Sequence, residues 1–395
     1  MTRIVLAYSG GLDTSVTTRW LVDQGHEVVA VAVDVGQQDD FDAIRERGDL
    51  AGAGEVILID AIQRFADEML APAIKANALY EGKYPLVSAL ARPLIADEIV
   101  RVARRVDAGA IAHGCTGKGN DQVRFEVSLG VLAPDLPVLA PIRDDGIGRD
   151  KAAVLAEEWG IPLADVATSF SVDENLWGRT VECGVLEDAW VTPPEEAFAR
   201  TAAVAQRPSR VRQTVIAFEQ GVPTAIDGEP MGLVEIVRTL DALAGAYGFG
   251  RVDMIENRRV GIKSREIYEV PGALALITAH HALEDLVLQR EIAHFKPAIE
   301  QRWTELVYDG LWFSPLRSAL DAFIEETQRH VTGEVRLRFS AGTCDVVGRQ
   351  APKGLYDLEL ATYGVEDAFD QRHAAGFVKL WGLPLKVWSE RQGVG

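Results

Sequence analysis

Cysteine is scarce in this chain: Cys115, Cys183 and Cys344 are the only three in 395 residues, far apart and without a CxxC pair. Neither a disulfide framework nor a thiolate zinc site assembles from such spacing, and no metal ligand set is expected from it. A reducing cytoplasm is the simplest compartment. Positive charge is also in short supply. Lysine and arginine number 40 against 59 aspartates and glutamates, a net charge of −19. That balance argues against a nucleic-acid partner, because gripping a phosphate backbone depends on cations that release counterions. No run of eighteen apolar residues offers a membrane span, and the segment after Met1 lacks the hydrophobic region and cleavage site of a secretory signal. Internal repeats and low-complexity tracts are absent as well, which leaves a soluble globular protein as the expectation.

Hydrophobic residues make up 48% of the chain and charged residues 25%, an ordinary balance for folded domains. The length exceeds one typical core, so two domains and a tail are expected. In the first part, short apolar runs at Ile4–Tyr8, Val28–Val33, Val56–Ile59, Ala110–His113 and Val138–Ala140 alternate with segments of helical length. Strands alternating with helices predict βαβ units and a parallel sheet covered on both faces, with ligands at the carboxyl ends of the strands. A helical stretch from about Lys151 to Trp159, then Pro162, places the boundary near residue 167. The second part mixes strand-like pieces, Val211–Phe218 and Val335–Phe339, with helical patterns at Met231–Tyr247, His280–Trp303 and Pro315–Thr327, an α+β pattern. From Asp367 onward, Phe369, Phe377, Leu380, Trp381 and Trp388 lie among charges. Such an amphipathic tail packs on its own domain or on a neighbouring subunit.

Directly after the first apolar run comes SGGLDTS, Ser9 to Ser15, and then a plausible helix with Leu12, Val16 and Trp20 at four-residue steps. A strand feeding a glycine turn and a helix is an anion trap. Gly10 and Gly11 let the backbone approach a phosphate, the helix-start amides point at it, and Ser9, Thr14 and Ser15 add hydroxyl donors. The same residues also suit a tight turn with a serine cap. The loop lacks both GxxxxGK[ST] and GxGxxG; it is similar to the pyrophosphate-binding loop of enzymes that cut ATP between its α and β phosphates. A second loop, GCTGKGNDQVRFE, follows Ala110–His113. Gly114, Gly117 and Gly119 alternate there with Thr116, Lys118, Asn120, Asp121, Gln122 and Arg124. Arg124 suits a carboxylate and Asp121 an ammonium, as a zwitterion would require, although a solvated loop with a capping Asn120 or Asp121 reads the same way.

The two loops together, AYSGGLDTS and AHGCTGKGNDQVRFE, resemble the argininosuccinate synthase family of N-type ATP pyrophosphatases. The likeness extends through YPLVSALARPLIA (Tyr84–Ala96), FSVDENLWGRTVECGVLED (Phe170–Asp188), GRVDMIENRRVGIKSREIYEVPGA (Gly250–Ala273) and ELVYDGLW (Glu305–Trp312). It implies an ATP pyrophosphatase-type α/β domain at residues 1–167, an α+β synthetase domain at 168–366 and an oligomerisation tail at 367–395, assembled as a homotetramer. The implied reaction is an AMP-forming ligation of citrulline to aspartate through a citrullyl adenylate, a step of arginine biosynthesis. ATP would contact Ala7, Tyr8, Ser9, Gly10, Gly11, Leu12, Asp13, Thr14, Ser15, Val33 and Gly114. Aspartate would be held by Thr116, Asn120 and Asp121. Citrulline would meet Tyr84, Ser88, Asn120, Arg124, Ser171, Thr180, Glu256 and Tyr268.

This chain departs from the family pattern in two places. Ala89 stands where many members carry a hydroxyl, which leaves Ser88 or another donor to serve, and Thr180 replaces a common serine. Asp13 and Asp121 are the candidate catalytic carboxylates, Asp13 orienting Mg²⁺ or the loop; transfer at phosphorus asks mainly for positioning and charge stabilisation. Lys118 reads either as a phosphate neutraliser or as a solvated side chain. His280 and His281 diverge by ~100° on a helix and suit no shared metal. Cys115 reads as a small buried residue rather than a reactive thiol. Competing readings are another ATP pyrophosphatase acting on tRNA or glutamine, and a catalytically silent nucleotide-binding protein.

Overall fold

The computed structural model describes residues 1–147, 149–161, 170–364 and 367–393. The expected boundary near 167 and the end of the second domain at 366 fall outside them. The chain forms two compact units, Met1–Lys353 and Gly354–Gly395.

In the first unit, all five apolar runs of the amino-terminal part are strands: β1 (Arg3–Ala7), β2 (Glu27–Asp34), β3 (Glu55–Asp60), β4 (Ala110–His113) and β5 (Val138–Leu139). They form one parallel sheet in the order β3-β2-β1-β4-β5, with Ile4 opposite Val28 on one side and Ala110 on the other. Residues 28–33 are all buried, as both faces of such a sheet demand. The order reverses between β1 and β4. The loops leaving those two strands therefore open a crevice at their carboxyl ends. The helix expected near Lys151 runs from Arg149 to Glu158.

Among the described residues, nine further strands make two antiparallel sheets. One has the order β10-β9-β8-β13-β14, built from β8 (Arg212–Glu219), β9 (Val222–Ile226), β10 (Glu229–Pro230), β13 (Gly333–Ser340) and β14 (Thr343–Gln350). The other runs β11-β12-β7-β6, from β6 (Ser171–Asn175), β7 (Gly178–Glu182), β11 (Arg251–Asn257) and β12 (Lys263–Glu269). The strand-like pieces near Val211 and Val335 fall in β8 and β13, and the helical patterns from Met231 and Pro315 become Leu233–Ala246 and Pro315–Gln328. The single pattern His280–Trp303 is in fact two helices, Pro271–Val287 and Arg290–Tyr308. Leu288 is extended, and the Gln289 side chain accepts from the Glu291 amide to start the second helix.

The turn between β6 and β7 plugs into the parallel-sheet region. The Leu176 amide donates to the carbonyl of Val35, just past β2, and the fully buried Trp177 donates its indole N–H to Pro85 O. Asn175 Nδ2 donates to Val87 O at the start of the helix Val87–Arg105. These bonds satisfy buried polar groups and set the four-stranded sheet beside the crevice.

Deeper in this unit lies a buried ionic cluster. Lys296 Nζ, 1% exposed, sits 2.9 Å from Glu284 and also reaches Glu300 and Lys75 O. Asn77 donates to both carboxylates, and His280 contacts Asn77 and Gln328. His280 is thus a core residue, while His281 is exposed. Removing one member of a buried ion pair leaves its partners uncompensated, at a cost of ~3–5 kcal/mol. Lys296→Ala is therefore expected to lower unfolding free energy by about that much, whereas Lys75→Ala, whose partner Glu325 is 54% exposed, should cost about 1 kcal/mol or less. Urea denaturation checks both; equal losses would show that the cluster does not carry this stability.

The second unit contains the helix Arg372–Gln392, along which Phe377, Leu380, Trp381 and Trp388 are exposed. Phe377 and Trp381 stack one turn apart at 5.7 Å.

Candidate active site at the switch point of the parallel sheet

The loop after β1 meets the loop after β4. Gly114 lies so close to the first turn of the helix Leu12–Asp23 that a Cβ there would stand 3.0 Å from Thr14 Cγ2 and 3.2 Å from the Thr14 amide. The helix starts at Gly11 with no side chain capping its first amides, so these donors point into the crevice as the +0.5 end of the helix dipole. Ser9 Oγ accepts from the Gly11 amide, and Ser15 pairs with Tyr8 OH at 3.1 Å. Val33 lies near the end of β2, two residues past Val31, the partner of Ala7. Ala7 to Ser15, Val33 and Gly114 thus share one rim.

Beside this rim lies a cavity of about 240 Å³. It brings together Asp13, Gly114, Thr116, Asn120, Asp121 and Arg124 with Tyr84, Ser88, Ser171, Thr180, Glu256 and Tyr268. Every residue expected for the two amino acids lines it. Of the residues expected for ATP, Asp13 and Gly114 alone are in its lining; the others stay around the loop. Ala89 is buried, whereas Ser88 donates to Asp173 and its amide bonds Tyr84 OH.

The floor is one face of the four-stranded sheet. Ser171 pairs with Glu182, Asp173 with Thr180, and Thr180 with Tyr268, so these side chains share a face, and Glu266 joins them two residues before Tyr268. The walls carry charge. Arg92 bridges Asp121 and Asp173, and Arg124 donates to Asp121 at 2.8 Å and to Tyr308 O at 3.0 Å. Burial opposes ionisation of Asp121, but the flanking guanidiniums of Arg92 and Arg124 overcome it and hold the carboxyl well below the usual range. Across the cavity, Glu256 accepts from Tyr268 OH at 2.8 Å and Tyr308 OH at 2.9 Å, and burial pushes its carboxyl up. Tyr84 stacks on Tyr268 at 4.1 Å. Burial also pushes the Cys115 thiol far up, so it is no thiolate nucleophile. Lys118 is absent from the lining; its carbonyl accepts from Arg258.

Asp173, Glu182, Arg258 and Glu266 line the cavity as well, and Arg92 braces it; none was singled out from the sequence. The available signal was the alternation in Ser171-x-Asp173, Thr180-x-Glu182 and Ser264-x-Glu266-x-Tyr268, a period of two written in polar residues.

A dipole-bearing phosphate loop at a parallel-sheet switch point, with an amino-acid-sized polar cavity against it, defines a nucleotide-binding α/β enzyme. Comparison with known proteins sharpens this. Residues 3–162 match the family described as Arginosuccinate synthase N-terminal HUP domain, and residues 170–388 match Arginosuccinate synthase C-terminal domain. The chain is 54% identical over 386 residues to the argininosuccinate synthase of Bacillus licheniformis, covering 98% of this chain and 96% of that one. It is 55% identical over 388 residues to that of Rubrobacter xylanophilus, covering 98% and 95%. The chain belongs to the argininosuccinate synthase family.

Gly10 is where the loop tolerates no side chain. Its φ is +73°, and a Cβ would meet Ile44 Cγ1 at 2.7 Å and Arg47 Nη2 at 3.1 Å, while Arg47 Nε donates to Gly10 O. Gly10→Ala is expected to cost about 1–2 kcal/mol of stability and to raise the KM for ATP. Thermal melts and ATP titration check this, and an unaltered KM would show that the loop does not seat the nucleotide.

Proposed function

We propose that this chain condenses L-citrulline with L-aspartate to argininosuccinate, converting ATP to AMP and pyrophosphate through a citrullyl adenylate held between the Ser9–Ser15 loop and the Gly114–Arg124 rim. The observation that carries the reading is the single cavity in which all the expected amino-acid-binding side chains meet beside that loop.

Citrulline's ureido carbon does not lose oxygen unaided, because the leaving group is too poor. In the first step the ureido oxygen forms a bond to the α phosphorus and pyrophosphate leaves toward the helix-start amides of Leu12–Asp23, which stabilise its charge. In the second, the amine of aspartate bonds to the ureido carbon, AMP leaves with the oxygen, and the amine loses a proton. Asp121, kept ionised by Arg92 and Arg124, is a weak base and a good anchor. Its role is to hold the aspartate ammonium until it is deprotonated and to fix Arg124 for a carboxylate. Thr116 and Asn120 complete the aspartate end; Tyr84, Ser88, Ser171, Thr180, Glu256 and Tyr268 hold citrulline.

Mg²⁺ would neutralise the phosphates. Asp13, at the edge of the cavity within the Ser9–Ser15 loop, would be the protein carboxylate that helps to hold the ion. Asp13→Asn is expected to lower kcat about 10- to 100-fold and to raise the Mg²⁺ needed for half-maximal turnover. If both stay unchanged, Asp13 has no such role.

The test of the reaction is pyrophosphate release with citrulline and aspartate omitted in turn; release is expected only with both. Release that instead requires tRNA or glutamine, or ATP binding with no release at all, would replace this reading.

No helix among the described residues is long and apolar enough to cross a membrane; the cytoplasm is proposed as the chain's compartment from the three scattered, unpaired cysteines. The three-part organisation at 1–167, 168–366 and 367–395 is retained as a functional division, the last part joining subunits of a homotetramer. Exposed Trp381, Leu380 and Phe377 on one long helix support an intersubunit role. Truncation before Asp367 should dissociate the tetramer in sedimentation velocity, and a truncated chain that still sediments as a tetramer would overturn it.

A further inference from the structure

Two buried side-chain oxygens on residues that line the cavity have no hydrogen-bond partner: Thr180 Oγ1 and Glu266 Oε2. Thr180 is already among the residues expected at citrulline; Glu266 is not. Its side chain is 4% exposed. Oε1 is used by Arg258 and by Ser264, whose hydroxyl donates at 3.0 Å, while Oε2 is left over. A buried carboxylate oxygen without a donor costs on the order of 1–3 kcal/mol or more, and a bound ligand that supplies one recovers it.

The surrounding charges say what that ligand carries. Glu182 from β7 and Glu256 from β11 face Glu266, and Arg258 is the cation paired with it; Ser264 and Tyr268 flank it on β12. Arg258 pairs with both Glu182 and Glu266, and Glu256, which Arg124 also faces, adds a third carboxylate, so carboxylates outnumber guanidiniums on this wall. Burial, aided by Glu182 and Glu256, pushes the Glu266 carboxyl well above the usual range, the behaviour of a group waiting for a cation. A dicarboxylate is repelled by this wall; a zwitterion's ammonium is not.

We infer that Glu266 Oε2 is a specificity contact for the α-ammonium of bound citrulline, an assignment that rests on the proposed reaction. It orients the substrate by its far end, so that the ureido oxygen is the atom presented to ATP. The contact exists in ground state and transition state alike, and its loss should appear in KM more than in kcat.

The test is steady-state pyrophosphate release by the full-length protein, with citrulline and with 5-ureidopentanoate, its analogue lacking the α-amino group. Glu266→Gln, close in shape, is expected to raise the citrulline KM about 10-fold or more with kcat within about twofold. It should leave the KM values for ATP and aspartate unchanged and add no penalty with 5-ureidopentanoate. Glu266→Ser, with a melting curve, guards against a folding defect peculiar to one variant. An unchanged citrulline KM in both variants, or an equal penalty with the analogue, overturns the contact while leaving the reaction intact. Unaltered protein that fails to release pyrophosphate with citrulline overturns the reaction and the contact with it.

Discussion

The cavity depends on one guanidinium. Arg92 projects from the helix Val87–Arg105 and bridges Asp121, at the start of the helix Asp121–Leu132, and Asp173 in β6. Three parts that are distant in sequence, the helix against the parallel sheet, the rim after β4 and the floor sheet, are thereby fixed to one point. A half-buried ion triad of this kind contributes little net stability, because desolvation offsets most of the Coulomb gain. Its value is geometric: with Arg92 gone, Asp121 and Asp173 would lose the cation between them, and the floor would be held to the rim only through contacts such as Tyr308, Asn120 and Arg258.

The same charges divide the cavity into unlike ends. Near the phosphate loop, carboxylates and guanidiniums alternate, and each acid is matched. Along β12 and β7 the acids outnumber their partners. Two tyrosine hydroxyls on Glu256 partly offset this without adding charge, since each donates one hydrogen bond and keeps its proton at physiological pH. Two zwitterions of different charge pattern can therefore be sorted by field before any shape fit matters, which is how electrostatic complementarity commonly confers specificity.

Legibility in the sequence followed burial. The parallel strands announced themselves because both of their faces are covered, so Ile4 to Leu6 and Val28 to Val33 carry unbroken apolar runs. The phosphate loop was legible because its glycines and hydroxyls are local. The floor sheet stayed hidden for the opposite reason: its inward face is the cavity, and Ser171, Asp173, Thr180, Glu182 and Glu266 replace the apolar half of the usual alternation. The other face buries Val181 and Ile267 in a small core with Phe170 and Leu186, too short a pattern to read as strands unaided. The resemblance supplied Ser171, Thr180, Glu256 and Tyr268, but nothing short of the folded sheet brings Asp173, Glu182 and Glu266 alongside them. Arg92 was equally silent, one arginine in a helix whose Pro93 argues locally against helix.

The Tyr80–Tyr308 pair shows what such a site demands of its supports. The rings stack at 3.6 Å, almost parallel, and Tyr308 also lies 5.0 Å beneath the Arg124 guanidinium. Its hydroxyl accepts from Asn120 and donates to Glu256, so one side chain ties the rim loop to the floor sheet. Asn120 in turn accepts from the Arg259 amide beyond β11. Tyr308 OH and Asn120 are thus fully engaged, whereas Thr180 Oγ1 and Glu266 Oε2, on residues lining the cavity, have no partner. A scaffold whose supporting bonds are made while oxygens on its cavity-lining residues are left open keeps its reorganisation cost small when substrate arrives, because the only groups that must change partners are those the substrate itself meets.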